Sequence, residues 1–193
     1  PPPPPPPPPP APPPPPPPAA QPLVQADFLG EFLPRARAAG LHTALDTCGA
    51  ARRERFAGIL PLVDLVLFDI KMLDDGQHRN VTGEGTEEIL ANAVEAAGRG
   101  VPMWIRTPVI PGYTDSEENI REIARFIRKS LPSVQRFDLL AYSNLCRSKY
   151  ERLGRHFGMG DAGTLGRERM EKLAETARRE GISRVAWSGP TAD

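Results

Sequence analysis

The feature that most constrains this chain is a set of short runs in which apolar residues follow one another instead of alternating. Leu65-Val66-Leu67-Phe68 is the clearest, and Met103 to Ile110 and Phe137 to Tyr142 are largely of the same kind. A strand that is apolar on both faces is buried on both, which is the mark of a parallel sheet rather than of a half-exposed antiparallel one. His42 to Thr47 reads as a further strand and Ser183 to Trp187 as a weaker fifth. Parallel neighbours need a crossover, and helical stretches lie between the runs. Ile120, Ile123, Ala124 and Ile127 form an apolar stripe, with Thr114 and Glu117 spaced as a Thr-x-x-Glu capping box before it. Ile89, Leu90, Ala93, Val94 and Ala97 form a second stripe closed by Gly98 and Gly100, and Met170, Leu173, Ala174 and Ala177 a third ending at Gly181. Phe28 to Ala39 is similar but contains Pro34, which costs about 3 kcal/mol inside a helix and predicts a kink or a late start.

Each strong strand stops in something polar. The first ends in Asp46, Thr47, Cys48 and Gly49, the second in Asp69 and Lys71, and the fourth in Tyr142, Ser143 and Asn144. The third carries Arg106 partway along and Thr107 after it. In parallel barrels and open α/β sheets, ligands bind at the carboxyl ends of the strands, so these groups are expected on one rim. Carboxylates accept from ammonium groups and ribose hydroxyls, while Lys71 and Arg106 suit a carboxylate or phosphate. The set therefore fits a zwitterionic, hydroxyl-bearing ligand. Plainer roles stand beside this one: an internal Asp69–Lys71 ion pair, a helix cap at Asp46, and a surface pairing for Arg106. His78 falls in a polar turn and reads as solvated, and Cys48 as a small buried thiol. Cys146 has basic neighbours in Arg147 and Lys149 but reads as an ordinary thiol.

Residues 1–22 are a separate matter, since 18 of these 22 are proline. They lack apolar periodicity and are expected to be polyproline II or disordered, leaving residues 23–193 as one domain. The tail has neither the basic start nor the apolar core of a signal peptide, and no segment approaches the roughly 20 apolar residues of a membrane span. With 24 basic and 24 acidic residues, the charge balance gives nucleic-acid binding no support. Two distant cysteines suggest no disulfide framework, and a cytoplasmic location is expected. The first residue is proline, which suggests a processed, trimmed or incomplete chain.

Four stretches carry a resemblance: "LHTALDTCG" (41–49), "DLVLFDIKMLDDGQHRNVTG" (64–83), "VPMWIRTPVIPGYTDSEENI" (101–120) and "FDLLAYSNLCRSKYERLG" (137–154). In order and spacing they resemble the glycyl-radical enzyme activating enzymes, the pyruvate formate-lyase activating enzyme-like members of the radical S-adenosylmethionine (SAM) superfamily. The resemblance implies the C-terminal part of a partial (βα)6 TIM-like barrel of parallel strands with outer helices. By the same resemblance, Asp46 would accept from the SAM ammonium, Lys71 and Asp69 would hold its carboxylate and ribose region, and Arg106 would line the cavity. Asp46, Thr47 and Asp69 would line a monovalent-cation site. The implied reaction is reductive cleavage of SAM at a [4Fe-4S] cluster, after which a 5′-deoxyadenosyl radical takes a hydrogen from a backbone glycine of a partner glycyl-radical enzyme. Flavodoxin or ferredoxin is the implied electron donor.

The departures are equally definite. The family's Cys-x3-Cys-x2-Cys cluster motif is not in this sequence, and Cys48 and Cys146 cannot imitate it. Of the Gly-Gly-Glu-Pro strand end that binds the SAM ammonium, only Pro22 remains, and Ser143 stands where relatives often carry a histidine. The proline run begins where the missing half is expected, which suggests a truncated or wrongly read gene start and an inactive chain. A half-barrel would also leave His42–Thr47 with an unpaired edge. Two other readings are open: a different barrel enzyme, such as an aldolase using Lys71 as a Schiff-base nucleophile, and a polyproline segment docking on aromatic grooves.

Overall fold

The computed structural model describes residues 22–154 and 162–192, with the side chains of Cys146 and Lys149 left aside. The polyproline residues 1–21 and the surroundings of the Cys146 thiol therefore lie outside the described residues. Five strands form one parallel sheet in sequential order: β1 (Ala44–Thr47), β2 (Leu65–Asp69), β3 (Met103–Val109), β4 (Val134–Ala141) and β5 (Val185–Ser188). Helix α1 (Ala26–Ala38) leads into β1, α2 (Arg53–Ile59) joins β1 to β2, and α3 (Asp75–Thr82) with α4 (Glu87–Gly98) joins β2 to β3. Helix α5 (Glu117–Ser130) joins β3 to β4, and α6 (Arg147–Arg152) and α7 (Arg167–Arg179) precede β5. Sequential order with every ladder parallel is the topology of a barrel wall, because each crossover advances the sheet by one strand in one direction.

Only one face of this wall is covered. Along β3, Met103, Ile105, Thr107 and Val109 are buried while Trp104, Arg106 and Pro108 are half-buried. In β2, Val66 and Phe68 are buried while Leu65, Leu67 and Asp69 are not. The fully buried side continues through Leu45, Phe137 and Leu139 and packs on Phe56, Ile120, Ile123 and Met170 of the helices. The near-continuous apolarity of the strands predicts cover on both faces. The second face instead belongs to the barrel interior, where apolar positions such as Leu67 and Trp104 are mixed with charged ones.

Several local expectations are corrected. Ser116, not Thr114, caps α5: its Oγ accepts from the Asn119 N–H at 3.1 Å. Thr114 instead closes the preceding turn, accepting from Ile110 N at 2.8 Å and donating to Pro108 O at 2.5 Å. Helix α1 begins at Ala26 and runs through Pro34, so no late start occurs. The stretch read as a polar turn is a helix, α3, capped by Asp74 accepting from Gln77 N at 2.7 Å and ended by Gly83 at φ 83°. No strand pairs with the outer edge of β1 among the described residues.

Candidate functional site

Register brings three of the five expected site residues into contact. Asp46 on β1 is level with Leu67 on β2, and Asp69 on β2 is level with Arg106 on β3. Side chains on alternate positions share a face, so all three stand on the uncovered side of the sheet. The Arg106 guanidinium lies between the two carboxylates. Its Nε donates to Asp69 Oδ1 at 2.8 Å and its Nη1 to Asp46 Oδ2 at 2.8 Å, with Nη2 reaching both acids. The acid–base pair suggested by Asp69 and Lys71 is thus made across strands, by Arg106. Lys71 makes no ion pair or hydrogen bond with its ammonium among the described residues. Its backbone carbonyl accepts from Asn119 Nδ2 at 3.0 Å, which ties the end of β2 to the start of α5.

Thr47 is not brought to this face. It alternates with Asp46, is buried against the helices, and its Oγ1 accepts from Gly49 N at 3.0 Å. Thr107 is likewise on the helix side, donating to Ile70 O at 2.6 Å, and Ser143 caps the turn that follows β4 by accepting from Leu145 N. The Thr47 and Thr107 hydroxyls therefore serve the scaffold, because strand alternation sends every second residue away. Cys48, half-buried just after β1, is not in a disulfide among the described residues.

Burial dominates the electrostatics. It pushes the Asp69 carboxyl above the usual carboxylate range, outweighing the pull of Arg106 and Lys71, and the Asp46 carboxylate adds to the rise. Burial opposes the charge on Arg106, but hydrogen bonds and Coulomb attraction from Asp46 and Asp69 hold its pKa above the ordinary value. Asp69 is the strained member of the trio and has most to gain from further positive charge beside it.

One group escaped the sequence reading and a second was misread by it. On the same face, one step below Arg106, the Arg136 guanidinium lies 4.8 Å from the Trp104 ring centre and its Nε donates to Asp138 at 2.6 Å. Trp104 is level with Arg136, and Arg106 with Asp138. Counting back two positions from Arg106 would have found Trp104. The second group is His78, which is buried in α3, not solvated, with Nδ1 2.6 Å from Glu84 O and 3.0 Å from Thr82 Oγ1.

Burial, together with the Lys71 charge, lowers the His78 pKa below its ordinary 6.5, in spite of the Glu84 carbonyl. The unfolded chain therefore binds a proton at His78 before the folded chain does, and stability from this group is lost as pH falls below about 6.5. Urea midpoints should drop between pH 7.5 and pH 5.5 in the native protein, and a His78→Gln variant should flatten that drop. An unchanged slope in His78→Gln would show that other groups set the acid limb.

The residues present suit SAM and do not suit its usual metal cluster. Two carboxylates and a guanidinium on one open face, with Lys71 two residues past the end of β2, match a ligand with an ammonium, a carboxylate and ribose hydroxyls. A [4Fe-4S] cluster held by three thiolates cannot be built from a chain with two cysteines. Among the described residues no group of three or more His, Cys, Asp or Glu side chains is placed to hold a metal ion. No described helix is long and apolar enough to cross a membrane.

The sequence matches no established family model. It is 41% identical over 155 residues to an isethionate sulfite-lyase activating enzyme of Nitratidesulfovibrio vulgaris, covering 79% of this chain and 49% of that one. It is 38% identical over 153 residues to a pyruvate formate-lyase-activating enzyme of Clostridium pasteurianum, covering 78% and 63%. The chain thus spans about half to two thirds of these curated relatives. In fold it superposes on a crystallised domain of a pyruvate-formate lyase-activating enzyme from Bacteroides vulgatus with a TM-score of 0.74 at 25% identity, covering 89% of this chain and 96% of that one. Streptococcus suis SuiB bound to S-adenosylmethionine, at TM-score 0.62 and 15% identity over 83% of this chain and 36% of that one, shares the fold alone. By sequence and by fold, the chain is similar to the activating enzymes of isethionate sulfite-lyase and pyruvate formate-lyase.

Proposed function

We propose that this chain is the SAM-binding part of a glycyl-radical enzyme activating enzyme. The observation that carries the reading is the Asp46–Arg106–Asp69 cluster on the open barrel face, with Lys71 two residues past the end of β2 and near enough to act on Asp69. Asp46 exchanges its Arg106 partner for the SAM ammonium, one cation for another. Lys71 takes the SAM carboxylate, Asp69 accepts from the ribose, and Arg106 remains against Asp69. Thr47 contributes from behind, by fixing the turn that follows Asp46. A monovalent cation beside Asp46 and Asp69 would require the guanidinium to withdraw.

SAM held by Asp46, Lys71 and Asp69 would supply radical chemistry directed at a backbone glycine of a cytoplasmic partner glycyl-radical enzyme, given an electron from a donor such as flavodoxin or ferredoxin. The thiolates that hold the cluster for that step are not among these 193 residues, so the chain by itself binds and orients SAM but does not cleave it.

Titration calorimetry of the full chain with SAM tests this. Binding is expected up to millimolar ligand, with Asp46→Ala and Lys71→Ala each weakening it about tenfold or more, which corresponds to roughly 1.4 kcal/mol. No heat of binding from the native chain, or equal affinity in both variants, would refute the assignment.

A further inference from the structure

Strand β2 leaves its ladder just before Lys71. Asp69 is the last position level with β3, and Ile70 is still held on both of its backbone groups: its N–H donates to Arg106 O at 3.0 Å and its carbonyl accepts from Thr107 Oγ1 at 2.6 Å. Helix α3 does not begin until Asp75, behind its Asp74 cap. Lys71 therefore stands in a short link that belongs to neither strand nor helix.

The tie that holds this link at Lys71 comes from another β/α unit. Asn119 is the third residue of α5, and its N–H donates to the capping Ser116 Oγ at 3.1 Å. A helical side chain leans back over the turn that precedes it, and here the amide reaches carbonyls of two different loops. Asn119 Nδ2 donates to Lys71 O at 3.0 Å and to Thr114 O at 3.1 Å, which uses both of its hydrogens. The far end of the tie is well anchored. Thr114 Oγ1 bonds Pro108 O and Ile110 N, and the Asp115 carboxylate accepts from Gly112 N at 2.8 Å. From α7, Arg169 donates to Asp115 O at 2.7 Å and to Glu117 Oε1 at 3.1 Å. One side chain thus links Lys71 to a helix start that its own turn and a neighbouring helix hold in place.

A lysine ammonium sits at the end of a flexible four-carbon stem, so its placement depends on where its backbone is fixed. In a positioned complex, a displacement of about 1 Å can cost a factor of about a hundred. We propose that Asn119 is a positioning residue for ligand binding: by holding the Lys71 carbonyl, it places the Lys71 ammonium for the carboxylate of SAM. This rests on SAM being the ligand of the neighbouring face, and it concerns the carboxylate end alone. Asn92 supplies the contrast. This buried residue of α4 clasps the turn after β1 in the same manner, donating to Gly49 O and Ala51 O at 2.8 Å each, and so supports the strand that carries Asp46.

Calorimetry of the full chain with SAM and with decarboxylated SAM, which keeps the ammonium and the nucleoside but not the carboxylate, separates the two roles. Asn119→Ala is expected to weaken SAM at least about fivefold and the decarboxylated ligand less than about twofold. Placed on top of Lys71→Ala, it should weaken SAM no further. Asn92→Ala should weaken both ligands by the same factor, as a general loosening of the fold would. In the ligand-free protein, the amide order parameter of Lys71 should fall from about 0.85 towards about 0.6 in Asn119→Ala, while that of Phe68 stays unchanged. Equal weakening of both ligands by Asn119→Ala, additive losses with Lys71→Ala, or an unchanged order parameter at Lys71 would overturn the proposal. Native protein that binds neither ligand would overturn the SAM assignment and the role built on it, and a fall in the Lys71 order parameter would then place the failure in the ligand and not in the tie.

Discussion

Replacing Arg106 by methionine should destabilise the fold by about 2–4 kcal/mol and remove SAM affinity in the same variant. The guanidinium side chain is 17% exposed and Asp69 22%, whereas Asp46 is 59% exposed. Removing the cation leaves two carboxylates facing each other. The partly buried Asp69 bears most of the cost, because it cannot recover its water shell. Asp46 can, so Asp46→Asn should cost no more than about 1 kcal/mol. Arg106→Lys keeps the charge but cannot fork to both acids, and should fall between the two.

The origin of the deficit can be separated by pH and by a second substitution. Without Arg106 the Asp69 carboxyl loses the attraction that opposes its burial, so its folded pKa rises further above the unfolded value. A raised carboxyl contributes stability that is present at low pH and lost as pH rises through the folded pKa. The Arg106→Met deficit should therefore shrink on acidification. Adding Asp69→Asn should recover at least about half of it at neutral pH while leaving SAM binding lost. An Arg106→Met protein whose urea midpoint equals that of the native chain at pH 7 would show that the trio is not held as described.

Much of the architecture was legible because short apolar runs that stop in polar residues leave a plain mark in sequence. Val66, Phe68, Ile105, Phe137 and Leu139 mark strands whose core sides are fully buried, and the polar residues at their ends pointed to a shared face. The contact of Asp46 with Arg106 was not legible. It depends on register across two ladders, and Asp46 and Arg106 are sixty residues apart in sequence. Thr47 was misplaced for a related reason: adjacency in sequence means opposite faces in a strand. Helix α3 was missed because it buries little besides His78, so it has no stripe. Its signals were the Asp74 cap and Gly83, which in sequence look the same as a turn. Thr114 was misread because a threonine hydroxyl in reach of several backbone groups goes to whichever the turn presents, here Ile110 and Pro108.

Among the described glycines, Gly49→Ala should be the most damaging single-methyl change, costing about 2–6 kcal/mol. Two independent effects add. Gly49 has φ 71°, where a side chain costs about 1–3 kcal/mol. A Cβ there would lie 2.3 Å from Phe68 Cζ and 2.7 Å from Cε2, and overpacking of this kind costs about a further 1–3 kcal/mol. The ring has little freedom to retreat, since Phe68 is fully buried and meets Phe56 edge-on at 6.1 Å. For a domain of this size the midpoint of thermal unfolding should fall by roughly 5–15 °C. The Gly49 carbonyl also accepts from Asn92 Nδ2 at 2.8 Å, and its N–H donates to Thr47. A backbone shift would thus loosen the link between the end of β1 and α4. Phe68→Leu in the Gly49→Ala background distinguishes the two costs, since it makes room for the methyl but leaves the φ angle unchanged. The steric part should appear as a favourable coupling between the two substitutions, and the strain should persist in the double variant. A coupling near zero would mean that Phe68 is not in contact with the turn after β1, and the end of that strand would then lack the support that sets Asp46 opposite Arg106.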